Sequence, residues 1–180
     1  MYRGIAFAYE RTGRDLEKFL ATPRLSFSFQ EITRVLLDGE DITDRIRTPQ
    51  ISLLASSLSQ NACVRAYLTA IQRDIGRDGG IVVEGRDTGS VVFPDADIKV
   101  YLDADIAERA KRRYLERVPE KSDEDLELVK AEMEKRDRQD SHRDIAPLIK
   151  PEGALYVDTT HKTIDEVVSL LETYVRRKRG

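Results

Sequence analysis

Three short, mainly apolar runs constrain this chain more than any other feature: Ile81-Val82-Val83, Ile98 to Leu102 with Lys99 inside it, and Ala154 to Val157. A strand with one wet face alternates apolar and polar residues, whereas a strand covered on both faces reads as a continuous apolar run. The runs therefore predict strands of a parallel sheet near 81–85, 98–103 and 154–158. Segments of helical periodicity separate them, which predicts an α/β core with helices on the sheet. The last helix carries Ile164, Val167, Val168, Leu171 and Val175 as its expected buried stripe. It closes on Arg176-Arg177-Lys178-Arg179, charge that suits a helix C-terminus.

A second pattern lies nearer the start. Leu25, Phe27 and Phe29 alternate with Ser26, Ser28 and Gln30, and a second alternation through Val35 and Leu37 runs into Asp38-Gly39 before Ile42. Asp-Gly readily takes the positive φ values of a hairpin turn, so residues 25–46 read as a small antiparallel sheet. Thr48-Pro49 opens a helix with Ile51, Leu54, Ala55 and Leu58 on one face. Val64, Leu68, Ile71 and Ile75 mark another that ends near Gly76. Asp105 with Glu108, Ser122 with Asp125 and Thr163 with Glu166 repeat or nearly repeat the capping-box spacing, and predict three more helix starts.

Composition limits what the chain can bind. Its 180 residues, 40% hydrophobic, suffice for one full core, and 30 basic against 33 acidic residues leave a net charge of −3. No global field draws it to a nucleic acid polymer or an anionic membrane, so any anion site must be local. The lone Cys63 excludes an internal disulfide, and His142 and His161 stand too far apart, and too unaccompanied, for zinc. The sequence shows no membrane-spanning apolar run and no signal pattern at its start, so a reducing cytoplasm is the expected setting.

Two stretches carry chemistry. Glu84 to Ala96 follows the first apolar run directly, and ligands of open α/β sheets bind beyond the carboxyl ends of strands. Arg86 and Asp87 are placed there, and Gly85 and Gly89 allow close backbone approach. Read alone, without its flanking sequence, Gly-Arg-Asp reads as a structural ion pair in a glycine turn. Further on, Arg136, Asp140 and Arg143 are spaced by four and three, so one helical face holds two guanidinium forks with a carboxylate between them. That face can grip a sugar and a phosphate, or be a solvated salt-bridge face. His142 reads as a surface residue.

Taken together, these segments resemble bacterial cytidylate kinase. The likeness runs from Glu84 to Ala96 through Ile98 to Ala104, Glu108-Arg109-Ala110 and Arg112-Arg113. It reaches back through Leu37 to Ile42, Ile46-Arg47-Thr48 and the opening Tyr2-Arg3, and forward to Arg136, Asp140, Arg143 and Ala146-Pro147-Leu148. The resemblance implies a (d)CMP kinase moving the γ-phosphoryl of ATP to CMP or dCMP. It implies a P-loop-kinase-like parallel sheet with a small β insertion and a helical lid.

Residue by residue, the resemblance makes Arg3 and Arg86 phosphate-binding arginines. Ser56, Arg65 and Asp87 meet the cytosine, whose N4 donor and N3 and O2 acceptors suit a carboxylate and a guanidinium. Arg136 and Asp140 bind the sugar, Arg143 reaches the nucleotide from the lid side, and Arg112 is the lid arginine expected over the transferring phosphoryl group. Arg86, Arg112 and Arg143 are thus the expected catalytic residues. The implied division is a core at 1–24 and 47–104 with the acceptor site, a β insertion at 25–46, lid helices at 105–145, and the last strand and helix at 146–180. CMP and Mg-ATP are the implied small-molecule partners, and the family is expected to be monomeric.

One family element is not in the sequence. The kinase pattern requires Gly-x-x-x-x-Gly-Lys-Ser/Thr to cradle the ATP phosphates and Mg²⁺, and this chain has no Gly-Lys pair. The expectation is therefore a family member whose first βαβ unit is missing, with Met1 falling inside the family pattern. No donor-binding motif is retained, so the 180 residues alone are expected to be inactive and, with a sheet edge exposed, to self-associate. The alternative is a non-catalytic cytidine-nucleotide binder or interaction protein built on a kinase remnant.

Overall fold

The computed structural model describes residues 1–13, 15, 25–29, 33–117 and 126–180. The chain packs as two units, Met1–Ile81 and Val82–Gly180.

In the first unit, helix α1 (Tyr2–Arg11) buries Ile5, Ala6 and Ala8, an element the sequence reading did not assign. A Cβ on Gly4 would lie 3.1 Å from Leu25 Cδ1 and 3.2 Å from Val35 Cγ1, so the bare glycine lets the helix lie close against a sheet. That sheet is the expected antiparallel one. Strands β1 (Leu25–Phe29) and β2 (Thr33–Leu37) pair with Leu25 opposite Leu37, and β3 (Glu40–Asp41) joins β2. The turn between β2 and β3 has φ of 51° at Asp38 and 85° at Gly39, the positive pair that matches the twist of a hairpin.

Helix α2 (Pro49–Leu58) starts as expected, with Thr48 Oγ1 accepting from the Ile51 amide at 3.2 Å. Helix α3 (Ala62–Ile75) is capped by Asn61, whose Oδ1 accepts from Cys63 and Val64, and it ends at Gly76. Ile5, Ile42, Val64 and Leu68 are fully enclosed at the centre of this unit. Each such side chain contributes about 1.5–3 kcal/mol by leaving water.

The second unit holds a parallel pair, β4 (Val100–Asp103) and β5 (Leu155–Asp158), in the register Val100 to Leu155 and Asp103 to Asp158. Both strands fall within the ranges predicted for them, 98–103 and 154–158. The third expected strand does not form: residues 81–85 adopt no regular secondary structure, with Val82 fully exposed. An apolar run becomes a strand only where a neighbour supplies backbone partners, and among the described residues none pairs with it.

Helices α4 (Ile106–Arg117) and α5 (Leu126–His142) pack against each other. Asp105 caps α4 through Oδ1 to the Ala107 amide, while Glu108 turns instead to Arg112. The start expected at Ser122 lies outside the described residues. Helix α6 (Ile164–Arg179) opens on a complete capping box between Thr163 and Glu166. Its expected buried stripe is not buried: no residue of α6 is, and Ile164 and Val168 are exposed. A sheet of two strands is too narrow to cover that face.

Candidate functional site

Arg3, Ser56 and Arg65 lie in the first unit. Arg3 is exposed on the first turn of α1, and Ser56 is exposed on α2, its carbonyl accepting from Ser59 Oγ at 2.7 Å. Arg65 is different, being only 6% exposed. Its Nη1 donates to the Ser59 carbonyl at 2.9 Å, and its guanidinium lies 5.8 Å from the centre of the Tyr2 ring. A buried guanidinium must keep partners because its charge cannot be removed, and an aromatic face is one of the few apolar groups that attracts it. Tyr2 thereby ties the start of α1 to the residue expected to read a base.

The other expected residues lie in the second unit, on a backbone shaped for them. A π-helical turn spans Thr88–Val92, and the Asp87 carbonyl accepts from the amides of both Val91 and Val92. A Cβ on Gly85 would meet Thr88 Cγ2 at 2.7 Å, so the bare glycine spares a clash where the chain enters this turn. At the far side, Ala146 adopts φ of 53°, a conformation that costs a residue with a side chain about 1 kcal/mol or more. Its carbonyl accepts from Arg143 Nε, and the Leu148 amide returns to the Asp140 carbonyl at 2.7 Å.

Between these two backbone features, arginines and aspartates alternate. Arg109 Nη1 meets Asp137 Oδ2 at 2.5 Å, and Arg86 Nη1 meets the other oxygen, Oδ1, at 2.7 Å. Arg86 Nε lies 3.2 Å from Asp140 Oδ2, and Arg143 Nη1 lies 3.3 Å from Asp140 Oδ1. Arg136 approaches the same Asp140 oxygen at 3.9 Å from a largely exposed position. Four guanidinium groups thus face two carboxylates, a local positive excess on a chain of net negative charge.

The cluster is under-coordinated as well as positive. Arg143 Nη2 and Asp140 Oδ2 are buried without a hydrogen-bond partner, although Asp140 Oδ2 keeps its ion-pair contacts. Burial pushes the Asp137 carboxyl up, but hydrogen bonds from Arg86 and Arg109, together with their charges, outweigh it and hold the group below its ordinary value. Asp137 therefore stays ionised. A half-buried set of forks with a spare N–H suits an oxyanion, which takes bidentate donors best from arginine.

Of the residues expected from sequence, Arg86, Arg136, Asp140 and Arg143 come together. Asp87 stands beside them in the chain at the mouth of the π turn. Arg112 is engaged elsewhere: Nε donates to Glu108 at 2.9 Å and Nη2 to the Thr159 carbonyl at 2.7 Å. The sequence reading gave no role to Asp137, which holds two of the arginines. A signal existed, since Asp137 and Asp140 are three residues apart and share a helix face. No group of His, Cys, Asp and Glu able to hold a metal occurs among the described residues. None of the helices described is long and apolar enough to cross a membrane.

A family model described as cytidylate kinase matches residues 1–177. Among curated proteins, the chain is similar to cytidylate kinase of Syntrophotalea carbinolica, 43% identical over 99% of this chain and 80% of the relative. It is 40% identical to cytidylate kinase of Geobacter sulfurreducens, covering 79% of that protein, and 37% identical to that of Enterococcus faecalis, covering 82%, in each case over 99% of this chain.

Proposed function

We propose a function from the premise that this chain belongs to the cytidylate kinase family. It is an ATP:CMP phosphotransferase, acting on CMP or dCMP to give CDP or dCDP in pyrimidine nucleotide metabolism. The observation that carries the assignment of its residues is the alternating chain Arg109, Asp137, Arg86, Asp140 and Arg143.

In this reading Arg86 and Arg143 hold the phosphate of the acceptor, with Arg3 as a further phosphate ligand. Asp140 and Arg136 bind the sugar, and Ser56, Arg65 and Asp87 meet the cytosine edge. Arg112 is the lid arginine of the transferring group. The segments 25–46 and 105–145 act as the monophosphate-binding insertion and the lid. Phosphoryl transfer asks little covalent chemistry of the protein, so the arginines contribute by fixing the acceptor in line and spreading its charge.

The donor half is not accounted for in the same way. Cytidylate kinases use ATP with Mg²⁺, whose charge assists the transfer, and the sequence has no Gly-x-x-x-x-Gly-Lys. The setting is cytoplasmic, with no nucleic acid polymer as partner.

Titration calorimetry of this chain with CMP and with UMP tests the reading. CMP should bind more tightly, and Asp87→Ala should weaken CMP by about 1–3 kcal/mol, the worth of one base-edge pairing. Equal losses for CMP and UMP would remove Asp87 from the base. A coupled ADP-release assay completes the test, and brisk CMP-dependent turnover would mean that ATP is held by residues outside any recognised motif.

A further inference from the structure

We propose that Asp137 is a positioning residue of the acceptor site, setting where the Arg86 fork waits for the phosphate of a nucleoside monophosphate. The inference rests on the acceptor reading above and adds to it a residue with no assigned role.

Geometry carries it. Asp137 gives one oxygen to each of two arginines from separate segments, Arg86 at 2.7 Å and Arg109 at 2.5 Å. The three side chains are only 22%, 33% and 32% exposed, so water does not screen the contacts as it would on an open surface. Arg109 is in turn anchored, its Nε donating to the Ala104 carbonyl at 2.9 Å, one residue beyond β4. A continuous tether therefore runs from the end of β4 through Arg109 and Asp137 to Arg86. Asp140 fixes the second edge of the Arg86 fork.

A long arginine side chain gives up rotamer freedom when it is fixed on a ligand, and holding it in place beforehand removes part of that cost of binding. Removal of Asp137 has two opposed effects. The cluster becomes more positive, which draws any anion, and the Arg86 fork loses its orientation, which weakens a ligand that must be held in one geometry. The tether argues for the second effect in a nucleotide whose base and sugar are fixed elsewhere. Cytidine has no phosphate and is the internal control.

Affinities of CMP and cytidine are measured by NMR titration of the 180-residue chain, of Asp137→Asn and of Arg109→Ala. Asp137→Asn is expected to weaken CMP at least tenfold while leaving cytidine within twofold. Arg109→Ala should follow in the same direction with about a threefold loss, since Arg109 acts through Asp137, and it keeps the question answerable if Asp137→Asn does not fold. Parallel losses for CMP and cytidine would reduce Asp137 to a structural ion pair, and tighter CMP binding would make it a competitor of the phosphate; either overturns the proposal. Failure of the parent chain to bind CMP at all would instead overturn the acceptor reading, and this role with it.

Discussion

Arg112 donates from Nη2 to the Thr159 carbonyl at 2.7 Å, which ties helix α4 to the chain just beyond β5. Thr159 is buried, and its own hydroxyl donates to the Asp103 carbonyl at 2.9 Å. Arg112→Ala removes a charged donor from the Thr159 carbonyl, which keeps its bond from the Lys162 amide, and is expected to cost about 1–3 kcal/mol in urea unfolding. Arg112→Lys should recover less than half of that, because one ammonium cannot serve both the Glu108 carboxylate and the Thr159 carbonyl as the guanidinium fork does. Full recovery by lysine would show that charge alone makes the tie.

The capping box of α6 yields a second expectation. Thr163 Oγ1 accepts from the Glu166 amide at 3.2 Å while Glu166 Oε2 accepts from the Thr163 amide at 2.7 Å. With no residue of α6 buried, the cap is a larger share of what holds the helix than in a well-packed one. Thr163→Ala should cost about 1 kcal/mol, visible as a lower urea midpoint and reduced helical circular dichroism. Thr163→Ser should stay close to the parent.

Gly85 and Thr88 should be coupled. A Cβ at 85 meets Thr88 Cγ2 at 2.7 Å, and a β-branched side chain has little freedom to turn away. Gly85→Ala is expected to destabilise the second unit by about 1–3 kcal/mol and to weaken CMP binding, since Arg86 and Asp87 follow directly. Adding Thr88→Ser removes the clashing methyl. Thermal melts of the single and double variants should show most of the loss returned, and equal melts for the two would place the defect in the backbone at 85.

Acid should weaken both units in the same direction. Asp41 is held down to about 2 by the Thr43 hydroxyl first, then by the Thr43 amide and Arg34, and Asp137 is also held below its ordinary value. Both groups are more acidic folded than unfolded, so their stabilisation is fully present above the unfolded value of about 3.9 and is lost as pH falls through the folded one. Carbon-detected NMR titration of Asp41 should place its midpoint near 2, and unfolding midpoints should fall below about pH 4. An Asp41 midpoint at the ordinary value would rule out the Thr43 and Arg34 hydrogen bonds as the force that holds it down.

Much of this was legible in the sequence where local chemistry decides. Asp38-Gly39 needs its two positive φ values whatever lies around it, and Thr48-Pro49 and Thr163-Glu166 make their caps from neighbours in the chain. The strand expected at 81–85 failed for the opposite reason: Ile81-Val82-Val83 states a preference for burial but cannot state which strand will pair with it. Asp137 was hidden because it lies in a run of charges, where the residue with two partners looks like its neighbours. Arg65 gave no sign that it would be buried against Tyr2, since only the tertiary approach of α1 to α3 creates that contact. Arg86, Arg136, Asp140 and Arg143 were legible as a set through resemblance, and Asp140 with Arg136 and Arg143 also through helical spacing.

The exposed Val82, with Ile81, Val83, Leu102 and Tyr156 exposed as well, bears on how this protein reports its own unfolding. A dye that brightens on greasy surface will already glow with the native chain, so a dye-followed melt begins high and shows a shallow rise. The chain has no tryptophan and seven tyrosines, two of which, Tyr101 and Tyr156, stack with ring centres 6.1 Å apart across β4 and β5. Their near-ultraviolet circular dichroism vanishes when the strands part, which makes that pair the native optical probe of the second unit.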